Sequence, residues 1–186
     1  MGNGPSGGRC PDGVAAAAVT SLSLYEDLLG PREPLDLPAG PRIVYVASGE
    51  LAGLHPGRGA FGRDEARLIA GVDGATVLRW ELTEWSVEDA KLSARLHLDP
   101  WADYVLRCER GGGDLPVRRA EGPGVGCVLR GELSVDGEPV TPFGAWVEPA
   151  ELHGRGTLVR VVVLRPEERA RDAALQDSIA QGAVHL

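Results

Sequence analysis

Apolar and polar positions alternate most cleanly between Leu92 and Leu98, where Leu92, Ala94, Leu96 and Leu98 are separated by Ser93, Arg95 and His97. A strict period of two predicts a half-buried strand. Shorter β-rich runs surround it. Arg42 to Val46 and Val125 to Leu129 each lead into a Gly-Glu-Leu, and Ala75 to Leu82 and Thr157 to Leu164 read as strands. Trp101 to Glu109 reads as a further strand, and Asp136-Gly137 carries the signature of a tight hairpin. From Glu167 to Gln181 the period lengthens: Ala170, Ala174, Leu175 and Ile179 fall along one side of a helix at about 166–181. At the other end, Val14 to Val19 suggests a helix or an extended arm leading into Leu22, Leu24, Leu28 and Leu29.

The pattern also repeats. Shifting the chain by 82 residues without a gap superposes Gly40-Pro41 on Gly122-Pro123, Val46 on Val128, and Gly49-Glu50-Leu51 on Gly131-Glu132-Leu133. Phe61-Gly62 meets Phe143-Gly144, Gly74 meets Gly156, Val77 meets Val159 and Leu82 meets Leu164. These are 11 identities over 43 positions, where chance gives about 4. Two β units of this size cannot each bury both faces, so closure into one barrel or double-sheet sandwich is expected. The domain reading is a flexible arm over 1–20, then one domain over 21–186. Its first repeat spans about 24–82 and its second about 106–164.

Composition narrows the partners. With 27 acidic against 19 basic residues the chain carries a formal charge of -8, which disfavours nucleic acid and anionic membrane as partners. No apolar run is long enough to span a bilayer. The 26 glycines and 14 prolines favour many turns and short strands over a helical bundle. Three cysteines without CxxC spacing (Cys10, Cys108, Cys127) fit a reducing, cytoplasmic setting, with Cys108 and Cys127 as small buried hydrophobes. Gly2 with Ser6 formally matches a myristoylation pattern, and Val14 to Val19 after Arg9 resembles a weak signal peptide. Lys91 is the only lysine.

The stretch Gly131-Glu-Leu-Ser-Val-Asp-Gly-Glu-Pro-Val-Thr-Pro-Phe-Gly-Ala-Trp-Val-Glu-Pro149 resembles the cupin superfamily, from the glycine closing one strand through a hairpin to the turn and proline of its second motif. Gly49-Glu-Leu51, Phe61-Gly62 and Gly74 to Leu82 are similar in the first copy. The resemblance implies an all-β fold, a cupin-like double-stranded β-helix barrel built from two similar repeats. Cupins typically hold Fe, Mn, Ni or Zn with two His and one Glu on the first motif and one His on the second. The matching positions here fall near Arg118, Ala120 and Gly124, and only His153 lies close to the last. One imidazole cannot hold a divalent ion, so neither metal nor other cofactor is expected.

The remaining candidates are polar or aromatic groups able to face a pocket. Arg79 and Glu81 share one face of the Leu78–Leu82 strand. They form either an oxyanion clamp and a buried acid, or a solvated ion pair. His153 could exchange a proton near neutral pH, or be an idle loop residue. Arg79, Glu81 and His153 are therefore the expected catalytic residues. Tyr45, Trp80, Arg118, Cys127, Trp146 and Glu148 are expected to bind substrate, the two tryptophans having a plain core role as the alternative. Glu50 and Glu132 correspond in the repeat and read as structural. The expected function is a metal-independent, cupin-like small-molecule enzyme: an isomerase, epimerase or cyclase, for example one closing a ring in natural-product biosynthesis. The alternatives are a non-catalytic small-molecule-binding or sensor protein, and a metal-dependent oxygenase with unusual ligands. The resemblance also implies a homodimer.

Overall fold

The computed structural model describes residues 20–83, 91–98, 104–119 and 122–165. The expected helix over 166–181 and most of the expected N-terminal arm lie outside them. Every element in the described residues is a strand: β1 (Thr20–Leu29), β2 (Pro34–Leu37), β3 (Arg42–Leu51), β4 (Gly59–Gly62), β5 (Ala66–Thr83), β6 (Leu92–Leu98), β7 (Val105–Arg119), β8 (Gly124–Val135), β9 (Glu138–Val140), β10 (Ala145–Val147) and β11 (Glu151–Leu164). The described residues adopt the all-β class expected from the sequence.

Consecutive halves of the chain build separate sheets. The first runs β4-β3-β5-β1-β6, with β2 paired to β5. The second runs β10-β8-β11-β7, with β9 paired to β8. The strand Leu92–Leu98 and the Asp136-Gly137 turn lie as expected, and both turn residues have positive φ (51° and 85°). Leu22 to Leu29, into which the expected arm leads, are a strand held between β5 and β6. Two expectations need correction. The strand expected over Trp101–Glu109 extends, as β7, ten residues further to Arg119, through Gly111-Gly-Gly. Cys108 is exposed, because it sits where β7 borders a cleft; Cys127 is buried.

One face of each sheet meets the other sheet. Leu22, Leu24, Ile43, Leu78 and Trp80 pack against Leu106, Val125, Cys127, Val159 and Val161. The Trp80 Nε1–H donates across this core to the Val125 carbonyl at 2.9 Å. Each sheet covers its far face with its own chain. Leu35 and Leu37 of β2 and Ala70 of β5 fold over Val44, Val46 and Val77. In the second sheet Trp146, Ala150 and Leu152 cover Val128 and Leu158. Three buried apolar clusters result.

Both long hairpins bend at a bulge. The β3–β5 ladder skips Ala47 and the β8–β11 ladder skips Leu129. Two residues later come Gly49 (φ 73°) and Gly131 (φ 99°). A Cβ at either would collide with a carbonyl of the facing strand, Gly74 in one hairpin and Arg155 in the other. The bulges therefore need glycine on conformational and spatial grounds.

Candidate functional site

Two buried ionic groups and one cleft hold the chemistry of the described residues. The first ionic group lies on the far face of the first sheet. Arg79 stands on β5 between Val44 of β3 and Tyr25 of β1. Its Nε donates to Asp27 at 3.0 Å, its Nη1 lies 2.5 Å from Glu81, and its guanidinium stacks 4.6 Å from the centre of the Tyr25 ring. Lys91 reaches the other Asp27 oxygen at 3.1 Å. Asp27 is wholly buried. Burial works against the Arg79 charge, but hydrogen bonding to Asp27 and the charges of Asp27 and Glu81 outweigh it and raise its pKa.

The second group lies on the far face of the second sheet. Arg160 stands on β11 between Gly126 of β8 and Glu109 of β7. Its Nη1 contacts both Glu148 oxygens at 3.0 and 3.1 Å, its Nε donates to Glu109 at 2.7 Å, and Arg107 pairs with Glu109 at 2.6 Å. Glu148 is 1% exposed, and burial pushes its carboxyl above the usual glutamate range against the pull of Arg160. Room for it comes from Gly124, where a Cβ would lie 2.8 Å from Glu148 Oε2. Next to it, the Trp146 ring lies directly over Gly126, leaving no space for any side chain there.

Gly124 is also where the family resemblance would put a metal-binding glutamate. A carboxylate does fill that space, but it belongs to Glu148 and is neutralised by a guanidinium. His153 is exposed on β11 opposite Ser134, seven residues from Arg160, or roughly 23 Å along an extended strand. Among the described residues no three His, Cys, Asp or Glu side chains come together as a metal site. The donor set does not fit a resident divalent ion.

The cleft opens between the sheets where β3 and β4 approach the edge strand β7. It encloses about 480 Å³, with Ile43, Ala60, Phe61 and Leu106 as apolar wall and Tyr45, Cys108 and Arg110 as polar edge. Tyr45 is 3% exposed. Its hydroxyl has no hydrogen-bond partner among the described residues. Burial raises the phenol pKa, opposed by Arg110, so the group is a neutral donor at ordinary pH. Burial and Glu109 likewise push the Cys108 thiol up, which keeps it a thiol.

The expected site residues thus separate. Arg79 and Glu81 are together, but each is committed to the other. Glu148 belongs to the second ionic group and Tyr45 to the cleft. Trp80 and Cys127 lie in the inter-sheet core, with the Cys127 thiol pushed up to about 12 by burial. Trp146 lies in the second sheet's far-side cluster. Arg118 is on β7 opposite Leu152. Sequence reasoning passed over Asp27, Glu109, Arg110 and Arg160. Arg160 left a signal, as a lone charge inside Leu158-Val-Arg-Val-Val-Val163.

No family model matches this chain, and no curated protein matches it. Among solved structures it is similar to a cupin 2 conserved barrel domain protein from Leptotrichia buccalis, at 16% identity over 78% of this chain and 84% of that one, with a TM-score of 0.43. A likeness this faint carries no argument about chemistry. Within the described residues no helix is long and apolar enough to cross a membrane.

Proposed function

We propose that the protein is a cupin-like binder of a small, mostly apolar molecule, which it holds in the cleft beside Tyr45. One observation carries this reading: a phenol almost wholly buried, lacking any protein hydrogen-bond partner among the described residues, borders a cavity of about 480 Å³. The ring is buried but the hydroxyl reaches the open cleft, since Tyr45 Oη is not among the buried side-chain atoms that lack a hydrogen bond in the described residues, and a cavity of this size with few polar groups is typical of ligand sites. We further propose that the two halves are copies of one β unit. The bulges at Ala47 and Leu129, 82 positions apart, support that reading.

A catalytic version is favoured by the protonation state of Tyr45. A neutral phenol beside a guanidinium can donate to an oxygen that gains negative charge during an isomerisation, epimerisation or ring closure, without metal or other cofactor. Arg79, Glu81 and His153 would then act less directly. Arg79 and Glu81 hold the sheet through their ion pair, and His153 stands exposed on another strand.

The test is a fragment screen by amide-shift NMR on the full chain. Small apolar compounds should shift Tyr45, Phe61 and Leu106, and Tyr45→Phe should weaken them. If fragments shift only other regions, the binding reading fails. Turnover of a bound compound, lost in Tyr45→Phe while binding persists, would separate the enzyme from the binder.

A further inference from the structure

Two donors lie at the same end of the cleft, both against Gly57. A Cβ on Gly57 would lie 3.0 Å from Arg110 Nη1 and 3.9 Å from Tyr45 Oη. Glycine lets the guanidinium pack closely onto the backbone there, which brings it near the hydroxyl where both line the cleft. Arg110 makes no ion pair among the described residues, although the chain carries eight more acidic than basic residues. Glu109, its nearest acid in sequence, is taken by Arg107 and Arg160. Away from this end Ile43, Ala60, Phe61 and Leu106 give the cleft an apolar wall, and Phe61 is 55% exposed.

We propose that the end of the cleft bordered by Arg110 and Tyr45 is a carboxylate subsite, and that the ligand of the cleft is a small organic monoacid with a flat apolar body. The inference rests on the cleft being the binding site. Arg110 supplies a charge and N–H donors to the carboxylate, and Tyr45 donates its O–H to the same group. The apolar body lies against Ile43, Leu106 and Phe61. One guanidinium and one neutral hydroxyl match a single negative charge. A phosphate dianion would need further cations, and the other arginine lining the cleft, Arg107, is held by Glu109.

The chemistry of the probe separates this inference from the reading beneath it. Benzoate and phenylacetate are titrated into the full chain, followed by amide shifts, beside benzamide, phenylacetamide and inorganic phosphate. The acids should bind about tenfold or more tightly than their amides, the effect of one charge-assisted hydrogen bond. Arg110→Gln should erase that preference while leaving amide binding unchanged. Inorganic phosphate should not compete. Amides binding as well as acids at Tyr45 and Phe61, or an acid preference that survives Arg110→Gln, would overturn the carboxylate subsite and leave the cleft as a binding site. Competition by phosphate at equal concentration would overturn the monoacid assignment. Shifts from none of the probes would overturn the subsite, with the wider fragment screen still deciding the cleft.

Discussion

The two ionic groups occupy corresponding places in their sheets and differ in their reserves. Arg79 faces Val44 on β3, and Arg160 faces Gly126 on β8, 82 positions further on. Each arginine holds two carboxylates, and a second cation joins each set: Lys91 through Asp27, Arg107 through Glu109. The difference lies in which acid is shared. In the first sheet the wholly buried acid, Asp27, has two cations. In the second the buried acid, Glu148, depends on Arg160, and the extra cation serves the more exposed Glu109. A buried charge with one partner is exposed to loss of that partner; one with two is not.

Replacing the arginines tests this most sharply. Arg160→Met strands Glu148 and should cost about 3–5 kcal/mol in urea denaturation. Arg79→Met should cost less, because Lys91 remains on Asp27 and Glu81, which loses its cation, keeps access to water that Glu148 lacks. Equal costs would refute the contrast. A smaller effect concerns packing beside the arginines. Gly126→Ala drives a Cβ into the Trp146 ring and should cost about 1–3 kcal/mol. A second change, Trp146→Leu, should make the alanine less costly, a coupling that a double-mutant cycle measures.

The pH dependence should also fall on the second group. Burial raises the Glu148 carboxyl in the folded state, so the folded chain takes up this proton more readily than the unfolded one. Its contribution is therefore most favourable at low pH and declines as pH rises through the window starting near the ordinary value of about 4.3. Stability of wild type relative to Glu148→Gln should fall across that window, read from denaturation midpoints. A constant difference would count against it. The smallest effect belongs to the exposed pair of Arg67 and Asp36, 3.6 Å apart. Asp36→Asn should change stability by no more than about 0.5 kcal/mol.

Much of the fold was readable because strands declare their period. Leu92–Leu98 and the Asp136-Gly137 turn needed nothing beyond local pattern, and so did the assignment of Leu78 and Trp80 to the face opposite Arg79 and Glu81. The correspondence of the two arginines was hidden by a gapless shift. That shift sets Arg79 against Val161, whereas the ladders set it against Arg160. Val46 pairs with Val77, and Val128 with Leu158, so the second hairpin is one residue shorter. The match of Phe61-Gly62 with Phe143-Gly144 is accidental in the same sense. The positions that bond across to Val46 and Val128 are Gly57-Arg58 and Phe143-Gly144. The cleft could not be read at all, since Tyr45, Arg110 and Gly57 come from separate strands and loops that meet only when the sheets stack.

The indole hydrogen bond from Trp80 to the Val125 carbonyl has a mechanical consequence. Sliding one sheet past the other by a residue would leave that N–H dry and unsatisfied, at about 1–3 kcal/mol. The sheets are pinned against translation near the middle of their interface. A guest is therefore admitted where the cleft already opens beside Gly57, like a slip of paper taken at the open corner of a book whose spine stays shut.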